Sequence, residues 1–194
     1  MRVIPWLTDH AITFIENFIA DRISKYGIAP KLLEFGIGDS TLFFQDKTSK
    51  IIGFEHELHW YERVAEQLRL LGCHHAELHL LERPYSRFIE EIVGGEQFDV
   101  ICIDGRDRVS CLDQVLKSNC LSESGVIVFD NTERISGAGQ KYKEVLSMLE
   151  TGFQCIHFEQ IGRDRAGWNP THRWITSVAW REECWQRTTL GLEL

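Results

Sequence analysis

One stretch limits the fold of this chain more than any other: Lys31 to Glu55, KLLEFGIGDSTLFFQDKTSKIIGFE. Leu32 and Leu33 lead an apolar run into Glu34, and Gly36-Ile37-Gly38-Asp39-Ser40-Thr41 interrupts it. Leu42, Phe43 and Phe44 follow, and a second apolar run, Ile51-Ile52-Gly53-Phe54, ends on Glu55. This reads as strand, tight glycine turn, helix, strand and acid, the first half of a nucleotide-binding βαβ unit. Gly36 and Gly38 let the backbone turn sharply and approach a ligand where a Cβ would collide. Glu55 falls about 20 residues beyond the turn, where a carboxylate can accept both hydroxyls of a ribose.

The kind of nucleotide is narrowed by what the motif lacks. In G-x-G-x-x-G the third glycine admits close helix–strand packing and a pyrophosphate; here that place is Thr41. No Gly-Lys-Ser/Thr of a phosphate-binding loop occurs. The pattern present is E-x-G-x-G-x-S-T, Glu34 to Thr41, with the acid at Glu55. It resembles the first motif and the ribose acid of class I S-adenosylmethionine-dependent methyltransferases. The segment Glu55 to Val64 is similar to that superfamily's E-x-(N/D)-P-x-(W/Y), with Leu58 replacing the proline. The resemblance implies that S-adenosylmethionine is held by Glu34, Gly36, Ile37, Gly38, Ser40, Thr41, Glu55, His56 and Trp60. It also brings Glu82 near the adenine and Asp104 to the cofactor.

The rest of the chain extends the pattern. Ala11, Phe14, Ile15, Phe18, Ile19 and Ile23 recur at helical spacing between Thr8 and Tyr26, with Thr8 or Asp9 as cap and Gly27 as stop. A helix from about Trp60 to Leu71, a strand at Ala76–Leu81 and a helix opened by Pro84 follow. Phe98–Asp104 and Val126–Asn131 are buried-type strands, with a short helix around Leu112–Leu116 between them and Ser124-Gly125 as a turn. Lys141–Leu149 reads as helix, and Gln154–Ile161 and Trp174–Trp180 as a closing hairpin. The expected fold is a three-layer α/β sandwich behind an N-terminal helix. Its seven-stranded sheet is mainly parallel with the last strand antiparallel, and the resemblance spans Leu32 to Trp180. With 194 residues and 43% hydrophobic content, one domain is expected.

Partners follow from charge and composition. A formal net charge of −8 argues against a nucleic-acid backbone as the main partner. No apolar run reaches about 18 residues, so no membrane span is expected. The N-terminal stretch lacks the form of a signal peptide, and cytosol is the expected compartment. Six cysteines form no Cys-x-x-Cys pair, so disulfides are not expected. Cys73, His74, His75 and His79 lack the second ligand pair of a zinc site.

Ligands of open α/β sheets bind beyond the strands' carboxyl ends, where Glu34, Glu55, Glu82, Asp104, Asp130 and Asn131 stand. Asp104 and Asp130-Asn131 close consecutive buried strands, so their oxygens should converge. Three oxygen ligands suit Mg²⁺ or Ca²⁺, and the set resembles the metal triad of cation-dependent O-methyltransferases of the catechol and caffeoyl-CoA types. Those enzymes carry a lysine three residues after the first aspartate; here Asp107 occupies that place between Arg106 and Arg108. The alternative is that Asp104 and Asn131 contact cofactor and acceptor directly, with Arg106 and Arg108 holding a carboxylate or phosphate. The loop Arg163–Pro170, with Trp168, should overhang the same edge. The reading is methyl transfer to an oxygen of a small or acidic acceptor, with Asp104, Arg106 and Asn131 as catalytic candidates. Its rivals are a non-catalytic binding module and an NAD-dependent oxidoreductase, the latter disfavoured by the missing third glycine and the absence of a Tyr-x-x-x-Lys motif.

Overall fold

The structure is a computed structural model and describes residues 3–133, 147, 149, 151–162 and 171–181. Helix α1 (Asp9–Tyr26) precedes β1 (Lys31–Phe35), α2 (Asp39–Phe44), β2 (Lys50–Glu55), α3 (Leu58–Leu70) and β3 (Ala76–Leu80). A 3₁₀ turn at Tyr85–Phe88 runs into α4 (Ile89–Val93), followed by β4 (Phe98–Ile103), α5 (Arg108–Ser118) and β5 (Leu121–Asp130). Strands β6 (Phe153–Ile161) and β7 (Arg173–Arg181) complete one sheet in the order β3-β2-β1-β4-β5-β7-β6. Strand β7 lies between β5 and β6 and is antiparallel to both, while the pairs from β3 through β5 are parallel. The expected seven-stranded layout with one reversed strand is therefore observed.

Continuous apolar strands arise because the sheet is covered on both faces. Leu32, Ile51, Val100, Val126 and Val128 face Phe14, Phe18 and Phe44 of α1 and α2. Their neighbours Leu33, Ile52, Ile101, Ile127 and Phe129 face Ile89, Leu112 and Val115 of α4 and α5. A smaller cluster of Ile37, Leu42, Val64 and Leu68 seats α3.

Ile23 keeps the helical spacing of α1 but is 41% exposed. Three local expectations are corrected. Helix α3 starts at Leu58, before Trp60, with Glu57 in extended geometry ahead of it. Helix α5 begins four residues before Leu112, directly at Arg108. Ser124-Gly125 lies inside β5 and is no turn: a Cβ at Gly125 would stand 3.0 Å from the Phe98 carbonyl oxygen and 2.8 Å from Leu121. The glycine marks a close backbone approach where the β4–β5 register shifts. The expected helix at 141–149 and the loop at 163–170 with Trp168 lie, for all but residues 147 and 149, outside the described residues. Among the described residues no helix is long and apolar enough to cross a membrane.

Candidate active site

The sheet's carboxyl edge opens into a cleft of about 340 Å³, the size of a small-molecule site. Gly36, Ile37, Gly38, Ser40, Glu55, His56, Trp60, Asp104, Arg106, Asp130 and Asn131 all line it. Its floor is the turn after β1. Gly36 has φ +91°, and a Cβ there would stand 2.3 Å from Gly105 Cα, so two backbone turns pack directly on each other. The Gly105 N–H closes this contact by donating to the Phe35 carbonyl at 2.6 Å. Gly38 differs: a Cβ there meets no protein atom within 4 Å, so its missing side chain leaves cleft volume open.

Glu34 and Thr41 do not line this cleft. Glu34 is fully buried beneath the turn. The Gly38 N–H donates to Thr41 Oγ1 at 2.9 Å, and the Thr41 hydroxyl donates to Glu34 Oε2 at 2.7 Å. In place of a third glycine, Thr41 is thus a clasp that holds the turn onto the acid. Burial pushes the Glu34 carboxyl up to about 7, against the pull of the Ser40 and Thr41 hydroxyls.

Glu55, only 5% exposed, ends β2 at the cleft wall. Its Oε1 accepts the backbone N–H groups of His56 (2.7 Å) and Glu57 (2.9 Å), so the carboxylate is oriented before any ligand arrives. Trp60 follows on the first turn of α3 with the Arg63 guanidinium 4.8 Å over its ring, and Arg63 reaches Asp39 at 2.8 Å. Glu82 departs from the expectation. Strand β3 stops at Leu80, and the Glu82 side chain, 90% exposed, turns to Arg87 outside the cleft. Behind the cleft wall stands Tyr85, fully buried, whose hydroxyl donates to the Arg106 carbonyl at 2.9 Å.

At the ends of β4 and β5, Asp104, Asp130 and Asn131 do converge, as their strand positions suggested. What lies between them is Arg108. Its Nε donates to the Gly105 carbonyl at 2.8 Å. One terminal nitrogen reaches the Asp130 carbonyl and Asn131 Oδ1 (2.9 Å), the other the Asp104 carbonyl (2.6 Å) and Asp104 Oδ1 (2.9 Å). Asp130 is 2% exposed and accepts from the Thr176 hydroxyl at 2.7 Å. Burial and the nearby Asp104 charge hold its carboxyl well above the usual range, against the pull of Arg108. A divalent cation does not fit beside this guanidinium, because Oδ1 of Asp104 and of Asn131 already accept its N–H groups and Asp130 Oδ1 accepts from Thr176. Among the described residues no group of three His, Cys, Asp or Glu side chains is placed to hold a metal.

The flanking residues divide. Asp107, in the place of the resembled lysine, accepts from Nε and one terminal nitrogen of Arg83, each at 2.7 Å, and does not line the cleft. Arg106 is exposed on the cleft rim. Sequence reasoning did not find Trp6, Asp39, Glu57, Gly105 or Trp174 as lining residues. Asp104-Gly105 at a strand end was a usable signal for the close turn. Trp6, ahead of α1, had none, because only the tertiary fold returns it to the sheet edge.

No family model and no curated protein matches this chain. Solved structures do. The O-methyltransferase TomG of Streptomyces achromogenes, solved with S-adenosylmethionine, superposes with a TM-score of 0.67 at 18% identity, over 92% of this chain and 83% of its own. A Bacillus cereus O-methyltransferase in complex with S-adenosylhomocysteine gives 0.65 at 16% identity, over 91% and 84%. A Streptococcus thermophilus rRNA methylase gives 0.62 at 12% identity, over 92% of this chain and all of that one. The strand order, with β7 reversed between β5 and β6, also departs from the 3-2-1-4-5-6 order of dinucleotide-binding sheets. This chain has the fold of the class I S-adenosylmethionine-dependent methyltransferases.

Proposed function

We propose that the protein transfers a methyl group from S-adenosylmethionine to an oxygen of a small acceptor. The observation that carries this reading is the pairing of the open Gly38 turn with the pre-oriented Glu55 carboxylate across one cleft. Glu55 accepts the ribose hydroxyls, His56 and Trp60 flank the adenine, and the Gly36–Gly38 backbone leaves room for the methionine portion. When bound, the cofactor supplies an electrophilic methyl group on a sulfonium centre. Asp104 receives its ammonium group, and Asn131 orients the acceptor. As the acceptor oxygen takes the methyl group, the bond from that carbon to sulfur breaks, S-adenosylhomocysteine leaves, and the acceptor's proton passes to solvent. Arg106 on the rim draws an acceptor that carries an anionic group. Catalysis then rests on holding two reactants in line.

Incubation with methyl-labelled S-adenosylmethionine and a panel of small phenols and carboxylic acids tests the reading. Label should pass to an oxygen of at least one acceptor. Cofactor binding without transfer to any acceptor would support the binding-module alternative instead.

A further inference from the structure

The guanidinium of Arg108 sits where the strand-end oxygens would otherwise gather a metal ion. Arginine carries five N–H donors in a rigid planar fork and keeps its charge at any working pH. Here all five are used, each on a different oxygen: the carbonyls of Asp104, Gly105 and Asp130, and Oδ1 of Asp104 and of Asn131. The side chain is 10% exposed and the Asp104 carboxylate 19%, so bulk water does little of this neutralisation. Helix α5 begins at Arg108 itself, which fixes the side chain's origin directly beneath the β4 and β5 ends. The loop that carries it is pinned on both sides, by the Tyr85 hydroxyl on the Arg106 carbonyl and by Arg83 on Asp107.

We propose that Arg108 is a built-in cation that replaces a divalent metal at the Asp104, Asp130 and Asn131 cluster, and that the site works without one. This rests on the methyl-transfer reading for what the site does, but not for where the cation stands. Mg²⁺ requires oxygens at about 2.0–2.1 Å in near-octahedral array, and the guanidinium nitrogens fill that space. With no donor left over, Arg108 does not grip an acceptor. It is a positioning residue that keeps two strand ends and two side-chain oxygens at fixed separation. The acceptor is therefore not selected by chelation, and one nucleophilic oxygen is enough.

The test is Mn²⁺ titration followed by electron paramagnetic resonance, with S-adenosylhomocysteine calorimetry on the same samples. Wild-type protein should show no saturable Mn²⁺ site. Arg108→Ala, which leaves four oxygens of Asp104, Asp130 and Asn131 facing a hole, should gain one, and adding Asp104→Asn should remove it. Arg108→Lys keeps a cation in place and should gain none. If Arg108→Ala does not fold, the wild-type and Arg108→Lys titrations still decide. A saturable site on wild-type protein that Asp104→Asn abolishes would overturn the proposal, as would a folded Arg108→Ala without Mn²⁺ binding. Failure of the methyl-transfer reading shows separately, as absence of S-adenosylhomocysteine binding to wild-type protein whatever Mn²⁺ does.

Discussion

Gly36 and Gly38 are two residues apart and do different work. The first is required by the fold, since its positive φ and the 2.3 Å approach to Gly105 leave no place for a Cβ. Gly36→Ala should therefore lower stability by about 1–3 kcal/mol or more, measured by urea unfolding. Gly38→Val should leave the melt cooperative and near wild type while abolishing S-adenosylhomocysteine binding, because its side chain fills ligand space. Reversal of the two effects would refute the geometry given for the turn. Glu34 yields a third expectation. Its folded value of about 7 lies above its ordinary 4.5, so the folded state holds the proton more tightly. Glu34 then costs stability progressively as pH rises from about 4.5 to 7, by roughly 3 kcal/mol in full. Glu34→Gln should show a flatter stability profile across that window than wild type. Glu34 was legible as a motif residue, but its burial was not, because Thr41 reads only as a missing glycine until its hydroxyl is seen clasping the acid.

At the scale of elements, the strands were legible and the boundaries less so. Both-face burial gives β1, β2, β4 and β5 apolar runs that no solvent-exposed loop would carry. Helix α5 was read late because its first turn, Arg108-Val109-Ser110-Cys111, carries a charged residue that looks like loop. The same arginine faces the strand ends, so a side chain serving the site obscured the helix start. Glu82 failed for a related reason: its place after β3 was inferred from the resemblance, and nothing local shows that the chain turns outward there. Tyr85 fills the space behind that wall and ties the 3₁₀ turn to the loop after β4. Tyr85→Phe removes one hydrogen bond and leaves the Arg106 carbonyl without that donor. A loss of about 1 kcal/mol is expected in chemical denaturation; no change would mean that Arg83, Arg108 and the Gly105 N–H hold the loop without it.

Across the whole molecule, one sheet collects residues from Gly36 to Asn131 at a single edge, and the functional account depends on that edge binding S-adenosylmethionine. Topology alone cannot decide this, because one fold hosts many functions. The residue that can is Glu55, the sole acid that ends β2 at the cleft with its orientation set by two backbone N–H groups. Calorimetric titration of S-adenosylhomocysteine into wild-type protein and into Glu55→Ala, with NADH as control, is the direct measurement. Wild-type protein should bind S-adenosylhomocysteine and ignore NADH, and Glu55→Ala should bind it more weakly by about 2–4 kcal/mol while melting as a folded protein. Equal affinity in the two proteins, or binding of NADH in its place, would contradict the account.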